Sequence, residues 1–252
     1  MTPNQRIKQA QKELNAMADR CRDMAEDLEE LADDLHAIPV NEEKDSEPLQ
    51  GFEAVSRLLH SGQRPALGQI VTTVLADGTE AEWRVIDTNS MAKREETGVA
   101  PVIVQLVKIL HYRAFSRPDK QHPWGWNNYE ASELAAWLDD ELAASLTEAE
   151  RNCIIPRRDL GGKDGRMLWL LSTDEAGFGE LEKAFEWYAC EDEDERDERR
   201  QLQDVDGDLA LWWLRTPSSG HAHVVRTVST DGSLDLSSAV YAYGVSPACA
   251  IG

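Results

Sequence analysis

The chain of 252 residues lacks an excess of positive charge, since 26 Lys and Arg stand against 47 Asp and Glu and the net charge is -21. A surface of that sign repels phosphate backbones and anionic lipids, so we expect no nucleic-acid partner. The chain also lacks the roughly 18 consecutive apolar residues of a membrane helix and the apolar core of a signal peptide. We therefore expect no membrane insertion.

Closely spaced cysteines are lacking as well. The chain has 4 cysteines, Cys21, Cys153, Cys190 and Cys249, and their spacing indicates neither a zinc site nor a dense disulfide framework. We recognise no Ser/His/Asp arrangement and no paired-acid motif for catalysis. The sequence thus predicts a protein that is not an enzyme and that uses no cofactor or metal.

The N-terminal residues of the chain follow a heptad pattern. Its apolar positions are Ile7, Ala10, Leu14, Met17, Cys21, Met24, Leu28, Leu31, Leu35 and Ile38. Steps of three and four are typical of a coiled coil, although an amphipathic helix packed on its own domain also repeats. We predict an oligomerisation helix over residues 1–38 that forms a homotrimer, followed by a charged linker over residues 39–64 that begins at Pro39.

The rest of the chain carries a mixed pattern of strands and helices. An Asp-Gly turn at residues 77–78 predicts a hairpin between two strands. Residues 127–146 predict an amphipathic helix capped by an Asn, and capping-box patterns at Thr147 and Ser172 each predict a short helix.

A charge run, CEDEDERDERRQLQDVDGD, occupies residues 190–208. It predicts an exposed, mobile segment, because so many like charges cannot be buried together. Within it, Asp204, Asp206 and Asp208 alternate as in a calcium loop. The full twelve-residue pattern is missing, so a solvated acidic loop is favoured.

Six segments follow one another in the order EWRVID, NNYEASELAAWLDDELAASLTEAERNCI, LWLLSTDEA, ALWWLRTPSS, STDGSLD and GVSPACAI. This order resembles that of a bacterial and phage C-terminal domain family. That family is related to the formylglycine-generating-enzyme branch of the C-type lectin fold. Its members include variable proteins of diversity-generating retroelements, whose C-termini are rewritten at adenines. The resemblance implies an α+β fold class: an N-terminal coiled-coil helix followed by a C-type lectin-like (formylglycine-generating-enzyme-like) domain over residues 65–252.

The resemblance also implies a ligand-binding face rather than a reaction. Oxidases of the same fold use two close cysteines near the C-terminus, where this chain has only Cys249. In that fold the strand with Trp212 and Trp213 is central, so both side chains should pack in the core. Arg215 should span a buried carboxylate or carbonyl groups, with a ligand contact as the alternative. The final GVSPACAI should be the last core strand.

Residues 216–252 contain no Lys, Glu, Gln, Met or Trp. Randomising the first two bases of an AAY codon can never yield these five residues, so their absence favours hypervariation. The alternative is that short strands and turns avoid several of them in any case.

We expect the contact surface among the solvent-facing members of this segment, because Tyr, Ser and His suit adaptable binding loops. These are Ser218, Ser219, His221, His223, Asp235, Ser237, Ser238, Tyr241 and Tyr243. A metal held by His221 and His223 is disfavoured without a third ligand. The sequence thus predicts a non-enzymatic receptor-binding protein for a host-surface protein or glycan, on a phage virion or in the bacterial cytoplasm before release. The alternative is a structural virion decoration or assembly protein.

Overall fold

The computed structural model describes residues 48–88 and 101–252 of the chain. The coiled-coil helix predicted over residues 1–38 lies outside the described residues, and the homotrimer inferred from it stays a prediction. In the part of the chain that is described, no helix is long and apolar enough to span a membrane.

The described residues form 15 strands and 4 short helices. The strands are β1 (Leu49–Gln50), β2 (Ile70–Val74), β3 (Glu80–Asp87), β4 (Val102–Leu106), β5 (Lys108–Ile109), β6 (Tyr112–Ala114), β7 (Ile154–Ile155), β8 (Trp169–Leu170), β9 (Leu202–Asp204), β10 (Leu209–Ala210), β11 (Trp212–Pro217), β12 (Val224–Val228), β13 (Leu234–Ser238), β14 (Ala242–Gly244) and β15 (Pro247–Ile251). The helices are α1 (Phe52–His60), α2 (Glu133–Trp137, continuing through a π-helical turn at Leu138–Leu142 to Ala143–Ser145), α3 (Glu148–Asn152) and α4 (Glu193–Arg200).

The strands make three sheets that curl into a mixed half-barrel. The first sheet has the order β1-β2-β3-β4-β15-β7, with β8 also paired to β15; the second is β10-β9-β5 and the third is β13-β12-β11-β14-β6. Three pairs are parallel, β1 with β2, β5 with β9 and β11 with β14. Strand β15 pairs with β4, β7 and β8, so the last strand of the chain lies inside the first sheet.

The predicted fold class is wrong. An α+β protein with a coiled-coil helix and a C-type lectin-like (formylglycine-generating-enzyme-like) domain is not what the described residues form, because they make the curled half-barrel of mixed sheets. The resemblance depended on short motifs in a given order. Such motifs specify local strands and helices, whereas the order of strands in a sheet depends on pairing between distant segments.

The folded part of the chain begins before residue 65. Helix α1 lies within the predicted linker, residues 39–64, and buries Phe52, Val55 and Leu59 in the core. These residues recur on one helical face, which is the pattern of a helix packed against a sheet. The linker prediction is therefore too long at its C-terminal end.

Several local predictions are confirmed. Strands β2 and β3 pair across the Asp-Gly turn, where Leu75 N donates to Thr79 O at 2.9 Å. Helix α2 forms as expected, although its cap is Ser132, whose hydroxyl accepts from Ala135 N at 3.0 Å, and not an Asn. Helix α3 begins after Thr147, whose hydroxyl accepts from Glu150 N at 3.1 Å.

Two local predictions differ from the structure. Ser172 and Glu175 exchange both capping-box hydrogen bonds, at 3.1 and 2.9 Å, but the chain then makes a turn and no helix. Gly177, with φ of 74°, ends the turn. The acidic run, predicted as a mobile segment, contains helix α4. It is held to the domain by Arg200, whose buried guanidinium donates to the carbonyls of Ala176 and Gly177 at 2.8 and 2.7 Å.

The core strand β11 has the arrangement predicted for it. Trp212 and Trp213 are both 0% exposed, and their indole N–H groups donate to Arg200 O at 3.0 Å and to Arg113 O at 2.8 Å. Alternation along the strand sends the two rings to opposite faces of the third sheet. Arg215 meets a buried carboxylate, as expected, because it donates to Glu175.

Candidate functional site

Three segments meet at one end of the third sheet: residues 116–127, the hairpin loop 218–223 between β11 and β12, and residues 237–241 at the end of β13. Ala239 N donates to His223 O at 2.8 Å, and Ser116 N donates to Ala239 O at 3.0 Å. We call the surface that they form the loop face. Its side chains are His122, Trp124, Trp126, Ser218, Ser219, His221, His223, Ser238 and Tyr241.

Asn127 holds two of these segments together. Its backbone N–H donates to Ala222 O at 2.9 Å, and its side-chain amide lies 2.9 Å from His221 O and 3.1 Å from Val224 O. The residue is only 9% exposed, and a buried amide that loses such partners is costly. Asn127 therefore fixes the hairpin loop against the segment that carries the two tryptophans.

Gly125 allows the tryptophan segment to approach the end of β13. Its φ is 77°, and a Cβ there would lie 2.9 Å from Ser116 O and 3.1 Å from Ala239 Cβ. Any other residue would be strained in this conformation and would collide with the backbone. The glycine thus allows the segment that carries Trp124 and Trp126 to pack closely against Ser116 and Ala239.

The aromatic rings of the loop face lie open to solvent. Trp124 is 60% exposed, Tyr241 56% and Trp126 42%. The ring of His122 stacks on Trp126 with centroids 4.6 Å apart. Asp119 orients His122 by accepting its backbone N–H at 2.6 Å, and these hydrogen bonds lower the pKa of the Asp119 carboxyl. Large aromatic rings exposed together are unusual on a surface that has no partner.

The nine side chains of the loop face include no Lys, Arg, Asp or Glu, although the chain as a whole carries a net charge of -21. Arg117, Asp119 and Lys120 belong to the same segment, 116–127, and Asp119 contacts His122 directly. Besides the aromatic rings, the nine side chains supply Ser hydroxyls and His imidazoles. Depletion of charge and enrichment in aromatic rings distinguish the cores of binding surfaces from ordinary protein surface.

None of the predicted site residues is buried. Ser219, His221, Asp235 and Tyr241 are exposed, and the half-buried ones are Ser218, His223, Ser237, Ser238 and Tyr243. Those of the hairpin loop, with Ser238 and Tyr241, come together in the loop face.

Three of the predicted residues lie apart from the loop face or beneath it. Asp235 pairs with Thr227 toward the other end of β13. Tyr243 packs on the buried Trp213, with centroids 5.1 Å apart, and accepts a hydrogen bond from Ser237 Oγ at 3.1 Å. Tyr243 and Ser237 therefore support the loop face from beneath rather than forming its surface.

The sequence reasoning missed His122, Trp124 and Trp126. They lie about 90 residues before residues 216–252, whose composition was the basis of the prediction, so that argument could not identify them. A local signal exists in the stretch QHPWGWNN, where two tryptophans flank a glycine among turn-forming residues. Tryptophans placed in a turn, with no strand or helix period around them, favour exposure.

Strand burial explains part of the unusual composition of residues 216–252. All five positions of β15 are buried, as are Val225, Thr227 and Val228 in β12. Charged residues are rarely found at such positions, so the absence of Lys and Glu there indicates nothing about variability. At the exposed loop positions, burial does not explain why these residue types are absent.

The residues considered for metal binding serve other purposes. Asp204 closes the turn between β9 and β10, where its Oδ1 accepts from the N–H groups of Asp206 and Asp208 at 3.0 and 3.2 Å. The rings of His221 and His223 lie 6.0 Å apart. Within the described residues no group of three His, Cys, Asp or Glu side chains could hold a metal.

The described cysteines are not activated as nucleophiles. Cys249 is buried in β15, and burial raises the pKa of its thiol well above the ordinary value. A hydrogen bond to Glu195 raises the pKa of Cys190, and burial raises that of Cys153. Reactive thiols require the opposite shift, toward the thiolate at neutral pH.

The comparisons with known proteins concern the C-terminal part of the chain. Residues 105–252 match the sequence model of a protein family described as Domain of unknown function (DUF6273). No curated protein and no solved structure matches the chain. The matched residues include all three segments of the loop face.

Proposed function

The chain belongs to the family Domain of unknown function (DUF6273), and from the geometry of its site we propose that it is a non-enzymatic binding protein whose ligand contacts the loop face. The observation that carries this proposal is the group of exposed rings, Trp124, Trp126 and Tyr241. Trp and Tyr are the residue types most enriched among the contacts that dominate binding energies.

The support beneath the loop face favours binding over a merely exposed surface. Asn127 and Gly125 hold the loops through buried hydrogen bonds and close backbone contact. A surface that is ordered before the ligand arrives loses less conformational entropy on binding. The rings are therefore presented in a fixed arrangement at small entropic cost.

We further propose that the exposed loop positions are diversified by a retroelement. Ser218, Ser219, His221 and Tyr241 are accessible without disturbing the core, whereas the two exposed tryptophans lie outside residues 216–252. The loop face would then combine variable loop residues with two tryptophans that do not vary.

The test of diversification is genomic. We expect a reverse-transcriptase gene near this gene, and a near-copy of its 3′ end that differs at adenines. The mismatches should fall in the codons of the exposed loop residues and spare those of the buried strands. Mismatches spread evenly over β12 and β15, or no near-copy, would contradict diversification and leave the binding proposal standing.

The binding proposal is tested with the double variant Trp124→Ala/Tyr241→Ala. Both side chains are exposed, so each change should cost under about 0.5 kcal/mol of stability and the thermal midpoint should move by no more than about 4 °C. Removal of two central aromatic contacts should weaken binding by at least about 30-fold, since such contacts are worth about 2 kcal/mol or more. The measurement is flow cytometry of the labelled full-length protein on a panel of bacterial cells.

The matched control is Val205→Ala/Leu209→Ala, which also removes two exposed apolar side chains, 58% and 46% exposed, away from the loop face. This variant should bind cells as the original protein does. If the control and the loop-face variant bind equally well, the ligand contacts another surface. If no cell binds the protein at all, the structural alternative, a decoration or assembly protein, is favoured.

A further inference from the structure

We infer that the ligand of the loop face is a neutral carbohydrate. This inference rests on the proposed function, because it names the chemical class that the same surface takes. Two observations carry it: the exposed flat rings and the hydrogen-bonding groups on the same surface.

The exposed rings suit the C–H faces of a sugar. A pyranose ring has apolar C–H faces and a rim of hydroxyls, and its slightly positive hydrogens are attracted to the negative face of an aromatic ring. Trp124 and Trp126 are separated by one glycine, and both are more than 40% exposed, at 60% and 42%. One face of Trp126 is stacked on His122, so Trp124 is the more open of the two rings for stacking on a sugar unit.

The polar groups of the loop face match sugar hydroxyls. A sugar hydroxyl both donates and accepts, and so do a Ser hydroxyl and a neutral His imidazole through its two nitrogens. Ser219 and His221 are exposed, and Ser238 Oγ donates to Trp124 O at 3.3 Å. The side-chain amide of Asn127 is already committed to backbone carbonyls, so the hydroxyls and imidazoles are the groups available to a ligand.

The net charge of the chain disfavours acidic ligands. Recognition of a carboxylate, sulfate or phosphate draws on Arg or Lys, and none of the nine side chains of the loop face is either, although Arg117 and Lys120 lie in the same segment. The net charge of -21 would repel an anion. A neutral sugar has no such requirement.

The test titrates the full-length protein with maltohexaose, cellohexaose, chitohexaose and mannohexaose, and with heparin as the anionic comparison. We expect at least one neutral hexasaccharide to bind with a Kd below about 1 mM, and heparin not to bind. Trp126→Ala should weaken that binding at least tenfold, whereas Trp126→Phe, which keeps a ring, should retain more of it. Binding should also change the tryptophan fluorescence, and Trp124→Ala should reduce that change.

Cells treated with periodate or with protease separate the outcomes. Loss of cell binding after periodate, with resistance to protease, supports a carbohydrate even if the hexasaccharides lack the right sugar. Loss after protease alone, with no hexasaccharide bound at 10 mM as roughly the highest practical concentration, overturns the carbohydrate inference and leaves the proposed function intact. Equal cell binding by Trp124→Ala/Tyr241→Ala and the original protein overturns both.

Discussion

Replacing Glu175 by Gln is expected to lower the free energy of unfolding by about 3–5 kcal/mol, the usual cost of breaking a buried ion pair. The carboxylate is 12% exposed and lies between two arginines. Arg157 Nη1 donates to it at 2.6 Å and Arg215 Nη2 at 2.8 Å, while Ser172 N donates to it at 2.9 Å. Gln keeps the shape but removes the negative charge between the two guanidinium groups, of which Arg157 keeps Asp159 as a partner at 2.7 Å.

The pH dependence of unfolding gives a second measurement of the same carboxylate. Burial alone would raise the pKa of Glu175, but hydrogen bonds and charge from Arg215 and Arg157 outweigh it and lower the pKa. A lowered pKa means that the contribution to stability is complete at neutral pH. It is lost as the pH falls below the ordinary pKa of 4.5 toward the lower one.

Urea unfolding at several pH values measures both effects. The difference between the original protein and Glu175→Gln should be largest at pH 7 and should shrink in acid, because protonation removes the same charge. The matched control is Glu180→Gln, since Glu180 is 71% exposed and forms an ion pair with Lys183 at 2.8 Å, so its loss should change stability little. Equal stability of the two variants at pH 7 would show that the arginine pair needs no carboxylate.

Replacing Trp212 by Ala should also cost about 3–5 kcal/mol, which is the range for removal of a buried Trp from a core. The side chain is 0% exposed, and its indole N–H donates to Arg200 O at 3.0 Å. The change would leave a cavity beneath helix α4 and an unpaired carbonyl at its end. Thermal unfolding should show a midpoint roughly 6–20 °C lower.

The control for this change is Trp124→Ala, which removes the same side chain from an exposed position. It should lower stability by no more than about 0.5 kcal/mol while reducing ligand binding. The opposite pattern, a stable Trp212→Ala protein that no longer binds its ligand, would place Trp212 in the site and contradict its role in the core.

Local features of the fold could be predicted from the sequence, and its topology could not. The Asp-Gly hairpin, helix α2, the buried pair Trp212 and Trp213 and the final strand follow from short-range periodicity and turn chemistry. The parallel pairs β1 with β2 and β5 with β9 join short strands. Strands of two residues carry too few side chains for any period to show.

The candidate site, too, could be predicted from the sequence only in part. The polar loop residues Ser218, Ser219 and His221 could be singled out by composition within one segment. Trp124 and Trp126 could not be joined to them, because that contact depends on Asn127, and a single buried Asn has no distinctive pattern in a sequence. The charge run was wrongly predicted to be a mobile segment for a related reason. The buried guanidinium of Arg200 donates to carbonyl groups of a turn that is distant in the sequence.

The place of β15 inside the first sheet has a consequence for synthesis. Translation produces this strand after β4, β7 and β8, all of which pair with it. Those strand edges therefore stay uncovered in a nascent chain until β15 itself has been made, and such edges are prone to aggregation. A premature stop or a frameshift anywhere in the loop-face codons would remove β15 and leave a product unable to close its sheet. Protein quality control would then remove such products before they accumulate.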